Sequence, residues 1–192
     1  TFCHEFSHVL GLPDYYDTNY GTNYKNKATP GEWTLMDQGS YNNYGKTPPN
    51  YSAYDKYFLG WVTPTLMNKA ENVTMNSAAT NDYRVVTAAG ILPTARYTSA
   101  AWYFENRQKT GWDTYVPGHG LLVTKVQYNS TAWDGNKPNN GTPMYYDIVE
   151  ADGVSTGGDA GDTYPGTSNK TSYTPTGSYA LTSIAENSGN KW

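Results

Sequence analysis

The reading turns on one stretch: His4-Glu5-Phe6-Ser7-His8-Val9-Leu10-Gly11-Leu12-Pro13-Asp14. Two histidines four residues apart share one face of a helix, so both imidazoles can grip a single metal ion. Zinc suits such donors and lowers the pKa of a bound water to about 7. Glu5, beside the histidines, can take the proton as that water attacks a carbonyl carbon, and pass it to the leaving amine. Gly11 admits positive φ and turns the chain, and Pro13 keeps the next residues extended. The turn can bring Asp14 back to the metal as a third ligand, leaving one position for water. The competing reading of Asp14 is a turn residue capping its own backbone. Asp17 is its rival as ligand. His119, in the turn Pro117-Gly118-His119-Gly120, is a remoter one.

Outward from this motif, Phe2, Phe6, Val9 and Leu10 recur at helical spacing and predict a helix over residues 1–10. Apolar residues interleave the motif, which predicts that the helix is mostly buried. Cys3, about 100° around the helix from His4, is expected to pack as a small buried residue. Gly11 and Pro13 end the element. Residues 12–50 are irregular, with turn signals at Thr29-Pro30-Gly31 and Pro48-Pro49-Asn50. A second helix is predicted over residues 52–59, where Ser52 and Asp55 have capping-box spacing. Tyr54, Tyr57, Phe58 and Trp61 share one of its faces.

After Trp61 helical periodicity disappears. Candidate strands are residues 72–75, 83–87, 101–107, 120–128 and 145–150, separated by Gly/Asn/Pro turns, with one more near 179–182. This pattern predicts an antiparallel sandwich. The expected fold class is α+β. Residues 1–66 form a first unit that carries the histidine motif and both predicted helices. Residues 67–192 form a β-rich, sandwich-like unit packed on it.

Bulk properties exclude other classes. The formal net charge is −4, and no basic stretch offers a nucleic-acid surface. No apolar run is long enough for a transmembrane helix. With 1 cysteine among 192 residues, no disulfide forms within the chain.

Taken together, several segments resemble the immune inhibitor A family of bacterial secreted zinc metallopeptidases. They are HEFSHVLGLPDYYD (4–17), EWTLMDQGSY (32–41), YSAYDKYFLGW (51–61), YFENRQKTGW (103–112), PGHGLLV (117–123), DIVEADG (147–153) and GDTYPG (161–166). The resemblance implies a secreted or cell-surface, metzincin-like zinc endopeptidase acting on protein or peptide substrates. In it His4, His8 and Asp14 match zinc ligands, Glu5 the catalytic glutamate, and Met36 the methionine turn beneath the metal. It also implies that residues 1–66 are the C-terminal part of a zincin catalytic domain (active-site helix, methionine turn, second helix) whose upstream half is absent from these residues, so that the 192 residues alone are expected to show little or no turnover. Two positions depart from the pattern. Lys125 stands where many relatives have histidine. Gln38 stands where some zincins place an oxyanion-stabilising tyrosine, for which Tyr41 or Tyr44 could substitute.

Glu150, Asp152, Asp159 and Asp162 cluster with Gly-rich spacing and form a candidate calcium site, against the alternative of a solvated turn region. A competing function is a non-catalytic surface module binding peptide or carbohydrate through its exposed aromatic residues. Retention of Glu5 argues against it. A metal-dependent hydrolase of other substrates also fits the motif alone.

Overall fold

The computed structural model describes residues 1–19, 29–154 and 158–185. Helix α1 spans Phe2–Val9, and Gly11, at φ 101°, turns the chain out of it. A single distorted turn, α2 (Asn42–Gly45), follows two short 3-10 turns. Helix α3 (Ala53–Phe58) starts at the predicted capping box: Asp55 N–H donates to Ser52 Oγ, and Ser52 N–H donates to Asp55 Oδ2, both at 3.1 Å. Helix α4 is Ser130–Asp134, capped by the Asn129 side chain.

Five strands form one sheet in sequential order: β1 (Thr65–Leu66), β2 (Tyr83–Thr87), β3 (Ala101–Arg107), β4 (Gly120–Val126) and β5 (Tyr146–Ile148). The β1–β2 pair is parallel and the others are antiparallel. The predicted strand over residues 72–75 is instead irregular, and β1 lies seven residues earlier. Near 179–182 only an isolated bridge from Leu181 to Tyr173 forms.

Among the described residues the architecture is thus mixed α+β, with one sheet where a sandwich was expected. The reason lies in what covers the sheet. The period-two alternation of β3 puts Tyr103 on one face and Phe104 on the other, and both are buried. Tyr103 belongs to a core with Leu12, Tyr15, Met36, Tyr54, Trp133 and Tyr146. Phe104 belongs to a second, with Met67, Met75, Val123, Tyr164 and Ile184. Among the described residues the second face is therefore closed by irregular chain, not by another sheet. The first core joins residues of α1's following loop and α3 to residues of the strands, so the helical and sheet parts share one interior.

Buried charges lock these parts together. Arg107, at the end of β3, is fully buried. Its Nη2 lies 2.6 Å from Asp113 Oδ1 and its Nη1 3.5 Å from Glu105 Oε1. Glu105 Oε2 accepts the Ala53 N–H at the start of α3, and Asp113 accepts the Asn50 N–H and side-chain amide.

Helix α1 reverses the expected burial. Phe2, Phe6 and Val9 are 81%, 49% and 78% exposed, and Cys3 is exposed with them. The buried residues of the helix are His4 and Ser7. The polar face turns inward because it has partners there. Ser7 Oγ donates to the Cys3 carbonyl and meets the Tyr51 hydroxyl at 2.6 Å. An apolar stripe at helical spacing usually marks the core side; here the buried polar groups are paired, so the opposite face is the one left to solvent.

Candidate metal centre

The chain beneath α1 orients its histidines. His4 Nδ1 lies 2.7 Å from the Leu35 carbonyl oxygen and His8 Nδ1 2.8 Å from that of Leu12. A carbonyl only accepts, so each Nδ1 carries the proton and donates. Each Nε2 is then left with a lone pair.

Both Nε2 atoms converge on one oxygen. Asp14 Oδ1 is 2.9 Å from His4 Nε2 and 3.3 Å from His8 Nε2. Asp14 is buried, and with the histidines in this tautomer its Oδ1 has no donor. Three acceptors thus face one another in a largely buried place, an arrangement only a cation or an added proton satisfies. The spacing fits zinc: bonds of 2.0–2.1 Å in a tetrahedron give ligand–ligand edges of about 3.3 Å. Among the described residues, His4, His8 and Asp14 are the one group of three potential ligands whose atoms lie within 4.8 Å of one another.

The electrostatics carry the same signature. Protonation of His4 gives Asp14 Oδ1 the donor it lacks, and that hydrogen bond raises the His4 pKa, against burial, which lowers it; the Leu35 carbonyl and the nearby Asp14 and Glu5 charges add to the rise. Burial acts to raise the Asp14 pKa, but the Asn136 amide, and the hydrogen bond that His4 supplies once protonated, outweigh it and hold the carboxyl below its usual range.

The other predicted residues fall as follows. Glu5 is exposed on α1, next to His4 in sequence. Met36 is fully buried, and its carbonyl accepts the Tyr15 N–H at 2.9 Å, so the methionine segment supports the residue after Asp14. Asp17 is buried and its Oδ1 accepts the Asn19 N–H. Neither Asp17 nor His119 joins the cluster. Tyr41 and Tyr44 are exposed.

Glu150, Asp152, Asp159 and Asp162 share one region but form no such ligand group. Asp152, Asp159 and Asp162 spend carboxylate oxygens on the backbone N–H groups of Val154, Gly161 and Asp159, and Asp162 also accepts the Trp33 indole N–H. The calcium expectation draws no support from this geometry.

Sequence reasoning missed the supports of Asp14. The Tyr16 side chain hydrogen-bonds to it, and Asn136 contacts both its backbone and its carboxylate. Asn136 was legible only as a turn residue in Asp134-Gly135-Asn136. A cleft of about 490 Å³ opens beside His8, with Leu12, Phe58, Arg96, Tyr128 and Trp133 among its lining residues.

Two histidines and a carboxylate, with a glutamate next to the first histidine, form a donor set suited to a catalytic metal, and comparison with known proteins supports a metallopeptidase class. Residues 1–62 match the sequence model of the immune inhibitor A peptidase M6 catalytic domain, so the family resemblance is shown over that stretch. An Arthroderma benhamiae protein named "Putative secreted metallopeptidase" is 32% identical over 109 residues, which is 48% of this chain. The chain spans 15% of that relative's length. No solved structure matches significantly. No helix among the described residues is long and apolar enough to cross a membrane.

Proposed function

We propose that this chain carries the metal-binding half of a secreted zinc-dependent endopeptidase. The observation that carries the reading is the buried Asp14 Oδ1 facing the two histidine Nε2 atoms with no donor of its own. His4, His8 and Asp14 would hold zinc, which when bound lowers the pKa of a water and polarises a carbonyl. Glu5, exposed beside His4, accepts the proton of the attacking water and returns it to the leaving amine. The carbonyls of Leu35 and Leu12 fix the tautomer and orientation of the histidines. The cleft beside His8 has room for part of a peptide.

The parts divide as an incomplete zincin domain over residues 1–66 and a β-rich domain over 67–192. The exposed apolar face of α1, formed by Phe2, Phe6 and Val9, supports an upstream half that covers it in the whole enzyme. The 192 residues alone therefore turn over little substrate.

Elemental analysis tests the reading. About one zinc per chain, kept in Glu5→Ala and lost in His8→Ala, is the expected result. Equal zinc in the parent and in His8→Ala would remove the site. The second reading, a non-catalytic surface module, draws on the exposed rings of Tyr44, Trp61 and Trp112. It predicts ligand binding that survives loss of Glu5, His4 and His8.

A further inference from the structure

The carboxylate that completes the metal centre is held by a residue from a distant part of the chain. Asp14 N–H donates to Asn136 Oδ1 at 2.6 Å, and Asn136 Nδ2 donates to Asp14 Oδ2 at 2.7 Å. This two-point lock occupies Oδ2 and leaves Oδ1 turned toward His4 and His8. Asn136 is itself fixed. Its N–H bonds to the Trp133 carbonyl at 3.0 Å, and its carbonyl accepts the Thr18 hydroxyl at 3.1 Å. Its φ of 52° lies in the left-handed region, which asparagine tolerates better than most residues. Two more asparagines of the same loop grip the same segment. Asn139 Nδ2 donates to the Tyr15 carbonyl at 2.7 Å, and Asn140 Oδ1 accepts the Thr18 N–H at 3.0 Å.

We infer that Asn136 is the positioning residue of the third metal ligand, and that the loop over residues 136–140 shapes the ligand-bearing segment. This rests on the proposed metal centre of His4, His8 and Asp14. A carboxylate free at both oxygens can rotate and change its mode of coordination. One whose Oδ2 is tied to a fixed amide presents a single oxygen in a single direction. Asn136 touches no reacting atom and acts through Asp14. It also lies outside the stretch matched by the family, so the loop joins the sheet part of the chain to the metal chemistry of the first part.

The test uses the whole 192-residue chain and two substitutions that tolerate positive φ. Asn136→Gly keeps the backbone and deletes the lock. Asn136→Asp keeps the acceptor for Asp14 N–H but sets an oxygen against Asp14 Oδ2. Zinc affinity is read by competition with a chromophoric chelator, ligand geometry by the visible spectrum of the cobalt(II) form, and folding by circular dichroism of the metal-free chain. Zinc affinity should fall about 10–100-fold in Asn136→Gly, and at least as far in Asn136→Asp, with an altered cobalt spectrum. A turn residue with no other task predicts parent behaviour from both variants. Parent affinity and an unchanged cobalt spectrum in a folded variant would overturn the positioning role alone, provided the parent binds zinc and His8→Ala does not. A parent that binds zinc no better than His8→Ala would overturn the metal centre, and the positioning role with it.

Discussion

The Asp55–Tyr15 hydrogen bond links helix α3 to the ligand segment, and its removal tests whether the buried polar framework holds the site. Asp55 is fully buried. Its Oδ1 accepts the Tyr15 hydroxyl at 2.7 Å, and its Oδ2 accepts the Ser52 N–H that begins α3. Burial, only partly offset by these donors, raises its pKa. In Asp55→Ala two buried donors lose their acceptor, one of them the capping-box N–H of Ser52, at about 1–3 kcal/mol each. Release of a buried carboxyl returns part of this, so the net loss is about 3 kcal/mol. For a chain of this length about 2–4 °C of Tm accompanies each kcal/mol, which gives a fall of about 6–12 °C. Tyr15→Phe removes one donor and should cost about half as much. The assay is thermal unfolding of the metal-free chain, with both single variants and the double variant. The hydrogen bond itself should appear as a coupling of about 1 kcal/mol between the two sites. A Tm fall below about 2 °C in Asp55→Ala, or strictly additive single effects, would refute the reasoning.

Other consequences can be checked on the same material. Burial pushes Asp37 and Asp162 up to about 6 from an ordinary 3.8. Carboxyls raised on folding contribute stability that is complete below pH 3.8 and lost as the pH rises through 6; His4, raised above 6.5, has the same sign. The metal-free chain should therefore melt higher at pH 5 than at pH 7.5, and a flat or opposite profile would contradict the assignment. Asp113→Ala strips Arg107 of its nearer partner and should cost about 3–5 kcal/mol, read from the denaturant midpoint. Phe2→Ser and Phe6→Ser, on the exposed face of α1, should each change stability by less than about 0.5 kcal/mol; a larger loss would mean that this face is packed in the isolated chain.

Much of this molecule is legible in its residues because the signals are local. His4 and His8 share a helix face by spacing alone, Ser52 and Asp55 form the capping box their offset predicts, and β2 and β3 begin and end where alternation and turn residues put them. Asp14 follows Gly11 and Pro13 closely enough that its return to the histidines could be anticipated, although Asp17 remained a rival until tertiary contacts separated them. The orientation of α1 was not legible. Its apolar stripe has the period of a core helix, but which face is buried depends on whether His4 and Ser7 find partners, and those partners, Leu35 and Tyr51, lie 31 and 44 residues away. The single sheet was hidden for a related reason. Strand burial is the same whether the second face meets another sheet or irregular chain, and only the paths of residues 67–75 and 164–184 decide between them. Asn136 is the clearest case: as a residue in a turn it carries no signal of its task. It becomes a support of the metal ligand only because folding brings it across 122 residues to Asp14.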